Sequence, residues 1–146
     1  MIVNTAYIYM GAGGGGGGTP ANPNLWQDGV ANYPVTFTNS EISSTGLNFI
    51  MTPGAATFSE LTLTHFNSLT ISGKLTGPGI NVKVEIRINF YTSDNVLLGT
   101  TTAAFTKSGG STTVNIPSSA KIQNAKIKIE KEETGHSLTL SSALLS

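Results

Sequence analysis

The chain has 146 residues, with eight basic side chains against eight acidic ones, so its formal net charge is zero. That length suits one ordinary domain able to bury a core without staples. The lack of cysteine excludes disulfides, thiolate metal sites and cysteine nucleophiles, and the lack of a basic excess argues against a nucleic-acid partner. Charged residues are only 11% of the chain, and Thr, Ser, Asn and Gly fill the polar positions. Such a surface hydrogen-bonds without charge and does little to resist self-association, as suits a protein working inside an assembly or outside a cell.

The opening "MIVNTAYIYM" carries no basic start and is too short to cross a bilayer, so neither a signal peptide nor membrane insertion is expected. Read as a strand it is apolar on both faces, with Ile2, Ala6, Ile8 and Met10 on one and Val3, Tyr7 and Tyr9 on the other. A strand that wants cover on both sides sits inside a sandwich or against another chain, so these residues form a candidate assembly arm. "GAGGGGGG" follows, from Gly11 through Gly13 to Gly18. It satisfies G-x-G-x-x-G, as any glycine run does, but Pro20 and Pro23 stand where a phosphate-binding helix would have to begin. Glycine has no side chain to pack and a large ordering cost, so the run reads as a tether, about 15 Å end to end and about 28 Å when stretched. It joins the arm either to a neighbouring subunit or, equally, to its own domain as a loose loop. The expected division is an arm and tether over 1–18 and a folded domain over 19–146.

From there the dominant signal is alternation with period two. "YPVTFT" places Val35 and Phe37 inward, "LNFIM" Leu47, Phe49 and Met51, "LTLTH" Leu61 and Leu63, and "LTISGKL" Leu69, Ile71 and Leu75. The longest run, "INVKVEIRINF", sets Ile80, Val82, Val84, Ile86, Ile88 and Phe90 against Asn81, Lys83, Glu85, Arg87 and Asn89. "STTVNI" follows with Val114 and Ile116, "AKIKI" with Ile127 and Ile129, and "HSLTLSSALL" with Leu138, Leu140 and Leu144. "TGPG", "SDN", "SGG" and "TG" mark turns between them. No segment has the period of an amphipathic helix. The fold class expected is all-β, an antiparallel two-sheet sandwich, because the connections are too short for parallel crossovers. "KIKIEKEE", with its alternating charges, reads as a solvated edge strand guarded against stray pairing.

Candidate chemistry is sparse. His65 continues the apolar phase of Leu61 and Leu63 and is expected at the margin of the core, and His136 is expected to face solvent; neither has acidic neighbours at ligand spacing. No serine has a nucleophile-elbow context. Paired carboxylates would have to come from Glu41, Glu60, Glu85, Asp94, Glu130, Glu132 and Glu133, of which Glu85 reads as surface charge pairing with Lys83 and Arg87. Asp28 and Asp94 belong to turns. No catalytic residue, cofactor or metal is therefore expected, and the chain is not read as an enzyme. The aromatics Trp26, Tyr33 and Tyr91 either cap the ends of the sandwich or, taken together, offer flat faces for a sugar ring.

"LTISGKLTG", "VKVEIRINFYTSDNVLLGTTT", "TTVNIP" and "AKIKIE…LTLSSALL" together resemble the jelly-roll, galactose-binding-like sandwich modules of virion proteins from tailed phages and prophages of Gram-positive bacteria, and "MIVNTAYIYMG" with its glycines looks like the start of small phage structural proteins. The resemblance implies a non-enzymatic virion component of tail, baseplate, neck or capsid, made in the bacterial host cytoplasm. Its partners would be other virion proteins and copies of itself. The alternative is a carbohydrate-binding module that recognises host-surface glycan.

Overall fold

A computed structural model describes residues 22–79 and 82–146 in full and residues 3–6 by their backbone. Two antiparallel sheets face one another. The first has six strands in the order β1 (Val3–Ala6), β4 (Val35–Thr38), β7 (Gly54–Leu61), β12 (Ala125–Lys131), β9 (Lys83–Tyr91) and β10 (Leu97–Thr106). The second has five, in the order β11 (Gly110–Asn115), β8 (Ser68–Thr76), β13 (Ser137–Leu145), β6 (Gly46–Phe49) and β5 (Ser40–Ser43). A small hairpin of β2 (Trp26–Gln27) and β3 (Val30–Ala31) turns through Asp28 and Gly29, both at positive φ. Asp-Gly is the pair that a two-residue hairpin of this hand prefers. From β4 onward the chain passes repeatedly between the two sheets, as expected of a jelly-roll-like sandwich. Among the described residues the one helical turn is a short 3₁₀ segment, Ser118–Ala120, and no helix there is long and apolar enough to cross a membrane.

Each long strand turns its apolar phase into the space between the sheets. Val84, Ile86, Ile88 and Phe90 of β9 meet Leu69, Ile71 and Leu75 of β8 and Leu138 and Leu140 of β13 in one continuous core. Phe58, Leu61 and Leu63 close the same core. Alternation therefore forecasts burial well wherever the strand is regular.

It fails at irregularities. Met51 was expected inside, but β6 ends at Phe49 and Met51 is 51% exposed in the following loop. Leu144 is 40% exposed because β13 carries a bulge between Leu140 and Ser142. One extra residue exchanges the two faces of everything beyond it, so Ala143 and Leu145 go in and Leu144 comes out. His65 lies exposed in a turn past the end of β7 rather than at the core margin. Two long strands, β7 and β10, gave little signal, since "GAATFSEL" and "LLGTTTAAFT" are built largely from Gly, Ala and Thr.

β12 corrects a further expectation. It is not an edge strand but an interior one, paired with β7 on one side and β9 on the other. Its alternating charges make one face soluble and carry no information about lateral hydrogen bonds. Those charges engage one another on that face: Arg87 on β9 contacts Glu130 at 3.3 Å and Glu132 at 2.9 Å across the sheet, and Lys128 contacts Glu130 at 3.3 Å along β12. Lys131 continues the inward phase of β12 and is 1% exposed, with its ammonium donating to the Glu133 carbonyl. Burial lowers its pKa below the ordinary lysine value, and the Glu133 carboxylate partly opposes that.

Candidate functional site

The two outer faces of the sandwich differ in kind. On the six-stranded sheet, β9 and β12 send out Lys83, Glu85, Arg87, Lys126, Lys128 and Glu130, so the charged side chains gather there. The five-stranded sheet turns out hydroxyls and amides. Its outward phase includes Ser111 and Thr113 of β11, Ser72 and Lys74 of β8, Thr139 and Ser141 of β13, Asn48 of β6, and Glu41 and Ser43 of β5. Register places these groups beside one another: Ser111 pairs with Ser72 and Thr113 with Thr70. The hydroxyls of Ser72 and Ser111 share a hydrogen bond at 2.6 Å, and those of Thr70 and Thr113 one at 2.8 Å.

One row crosses four strands. Lys74 pairs with Thr139, Thr139 with Asn48, and Asn48 with Glu41. Neighbouring strands lie about 4.8 Å apart, so the row spans roughly 14 Å between its cationic and anionic ends. Its middle is linked: Thr139 Oγ1 donates to Asn48 Oδ1 at 2.7 Å, and Asn48 Nδ2 donates to Ser43 Oγ at 2.9 Å. An open depression of about 470 Å³ lies over the β11, β8 and β13 part of this face, lined by Ser72, Lys74, Thr76, Ser111, Thr139 and Ser141. Half-used hydroxyls keep free lone pairs and rotatable protons, so the surface can both donate to and accept from a polyhydroxylated ligand. A smaller cleft of about 110 Å³ on the charged face is lined by Glu85, Arg87, Thr102, Glu130, Glu132 and Glu133. Arg87 already ties Glu130 and Glu132 together there.

The aromatic residues marked for sugar contact do not assemble on one surface. Trp26 is 3% exposed, stacks on Phe58 with ring centroids 5.8 Å apart, and donates from Nε1 to the Ser141 carbonyl at 3.2 Å. Tyr33 is also buried, and its hydroxyl donates to the Asn22 carbonyl at 2.6 Å; burial raises its pKa above the ordinary tyrosine value. Tyr91 is half-buried at the end of β9, on the other sheet. A ring inside the core cannot stack on a sugar, so Trp26 and Tyr33 serve the packing of the sandwich.

Of the proposed assembly arm, Val3 and Ala6 fall in β1, which pairs in the same chain with β4 in the register Val3 to Thr38 through Ala6 to Val35. Ile2, Tyr7, Ile8, Tyr9 and Met10, and the tether glycines Gly11, Gly13 and Gly18, lie outside the described residues. His136 is half-buried, with Nε2 at 2.9 Å from the Pro78 carbonyl, and His65 is far from it in the fold. No cluster of three or more His, Asp or Glu able to hold a metal occurs among the described residues. Sequence reading missed the hydroxyl face because Ser and Thr at alternate positions look like ordinary solvated surface. The detectable signal was their near-exclusive use on β8, β11 and β13 while charge concentrated on β9 and β12.

No protein-family model matches the chain, and no curated protein matches its sequence. The fold is similar to that of a solved CBM4, a carbohydrate-binding module, at 12% identity and a TM-score of 0.51, covering 77% of this chain and 78% of that one. A second solved structure, the isomalto-dextranase of Arthrobacter globiformis T6 complexed with panose, aligns at 9% identity and a TM-score of 0.46, over 98% of this chain and 20% of the enzyme. At such identities the likeness to the CBM4 concerns the fold: an all-β sandwich of two antiparallel sheets.

Proposed function

We propose that this chain is a non-catalytic carbohydrate-binding module whose ligand lies on the outer face of the five-stranded sheet. The observation that carries the reading is the segregation of the surface: a hydroxyl and amide face with a depression on one sheet, and the charges on the other. The fold shared with a CBM4 supports it. Recognition here runs on hydrogen bonds rather than on ring stacking. Each such bond contributes about 0.5–1.5 kcal/mol net, and association itself is costly, so a single site binds weakly, with Kd on the order of 1 mM. Useful retention then comes from several copies acting together.

The test is a glycan array probed with a multivalent form of the chain, comparing wild type with Thr139→Val and Ser72→Ala. Both substitutions remove hydroxyls from the row and the depression without touching the core. Several-fold weaker retention by the variants is expected. A multivalent wild type that retains no glycan at all would refute the reading.

A second reading, a virion component anchored through its arm, rests on the resemblance of the strand and turn patterns. β1 is a four-residue edge strand joined to the remainder through the glycine run, and it pairs with β4 of the same chain. The two readings are compatible, since an anchored array supplies the multiplicity that a weak site needs.

A further inference from the structure

The hydroxyl face contains one unused cation. Lys74 lies inside the depression, exposed, and among the described residues it has no ion pair and no hydrogen bond to another side chain. Lys128 engages Glu130, Lys121 Asn67 and Lys126 Asn95, and none of these lies on the hydroxyl face. The neighbours of Lys74 across and along the sheet are Thr139, Ser72 and Thr76, and the acid in its own cross-strand row, Glu41, stands three strands away. A Cβ at Gly109 would lie 3.6 and 3.7 Å from Lys74 Cβ and Cγ, so the base of the side chain stands beside the β10–β11 turn, and Lys74 lines the depression together with the hydroxyls of Ser72, Ser111 and Thr139.

We infer that Lys74 is the specificity-determining residue of this face and that it selects a polysaccharide bearing carboxylates, a uronic-acid polymer, over the uncharged counterpart. This rests on the carbohydrate-binding reading and narrows it. The hydroxyls of Ser72, Ser111 and Thr139 bond the sugar hydroxyls, and the ammonium pairs with the carboxylate in a charge-assisted hydrogen bond. A carboxylate is favoured over a phosphate because the face offers a single cation, Lys74, with the acid Glu41 at the far end of its row. Phosphate sites that use a lysine commonly add forked guanidinium donors or clustered backbone N–H groups to it, and the one arginine of the chain, Arg87, is tied to Glu130 and Glu132 on the opposite sheet.

The experiment titrates the full chain with three probes: an oligogalacturonide, the same oligomer with its carboxyls reduced to alcohols, and a phosphodiester-linked polyol. Wild type is expected to prefer the oligogalacturonide over its reduced form by about three- to ten-fold, as one partly exposed charge-assisted contact allows. The preference should shrink as ionic strength rises from about 0.01 M to about 1 M and the screening length falls from about 30 Å to about 3 Å. Lys74→Gln should erase the preference while keeping the affinity for the reduced oligomer, Lys74→Arg should restore it, and Lys83→Gln, on the other sheet, should leave it intact. Equal binding of the two oligomers by wild type, persistence of the preference in Lys74→Gln, or selection of the phosphodiester polymer instead would each overturn the inference while leaving the carbohydrate reading standing. Failure of wild type to bind any probe, on top of an empty glycan array, would remove both.

Discussion

Tyr33 shows how a residue that looks like a surface aromatic becomes a structural one. It stands before Pro34 at the start of β4, and its hydroxyl donates to the Asn22 carbonyl while the ring is buried. Ionising it would place a charge in an apolar site, so its pKa is raised above 10.0 by burial. Below that value the phenol is neutral in both states. Above it the unfolded chain gives up a proton that the folded chain keeps, so stability falls as pH rises through the folded pKa. Tyr33→Phe is expected to cost about 1 kcal/mol at neutral pH, by leaving the Asn22 carbonyl unpaired, and to flatten the decline above about pH 10. Urea unfolding of both proteins at neutral and alkaline pH measures this, and parallel declines would count against it. Trp26 was equally ambiguous in the sequence, because a two-residue strand has no period from which its face can be read.

At the scale of elements, β13 and β6 depend on each other. The bulge that pushes Ser141 out of the pleat brings the β13 backbone against Gly46: a Cβ there would lie 2.1 Å from the Leu140 carbonyl oxygen and 2.9 Å from Ser141 Cα. Gly46 also has φ +128, a conformation that side chains resist. Gly46→Ala is therefore expected to destabilise the sandwich by about 2–5 kcal/mol, from strain and overpacking together. A melting temperature within a degree or two of wild type would show that the strands separate there at little cost. That Gly46 accommodates a bulge 95 residues later in the chain is a non-local fact no pattern contains.

For the whole molecule the open question of the sequence was the arm. Among the described side chains, all of which follow the glycine run, the core begins at Leu25. β1 adds backbone pairing to β4 at one edge. Deleting residues 1–18 should then leave a cooperatively folding sandwich, weakened by about 1–3 kcal/mol for the lost edge pairing, that no longer joins an oligomer or particle. Thermal melts followed by circular dichroism, with light scattering for size, measure both parts. An unfolded truncation would make β1 integral to the domain, and unchanged assembly would end the anchoring role. The segregation of charge to one sheet and hydroxyls to the other also belongs to this scale, since it exists only once β9 and β12 lie side by side and β8, β11 and β13 lie together.

What the amino-acid sequence determined by itself was the all-β class, the turns and the inward residue of each regular strand, because a pleated strand alternates its faces wherever it is placed. Tertiary structure alone decided the lateral neighbours. It put charged β12 in the interior of a sheet, took Trp26 and Tyr33 into the core, flipped Leu144 outward and lined up Lys74, Thr139, Asn48 and Glu41. Strand pairing joins residues distant along the chain through backbone groups that every residue carries, and so leaves almost no trace in side-chain order.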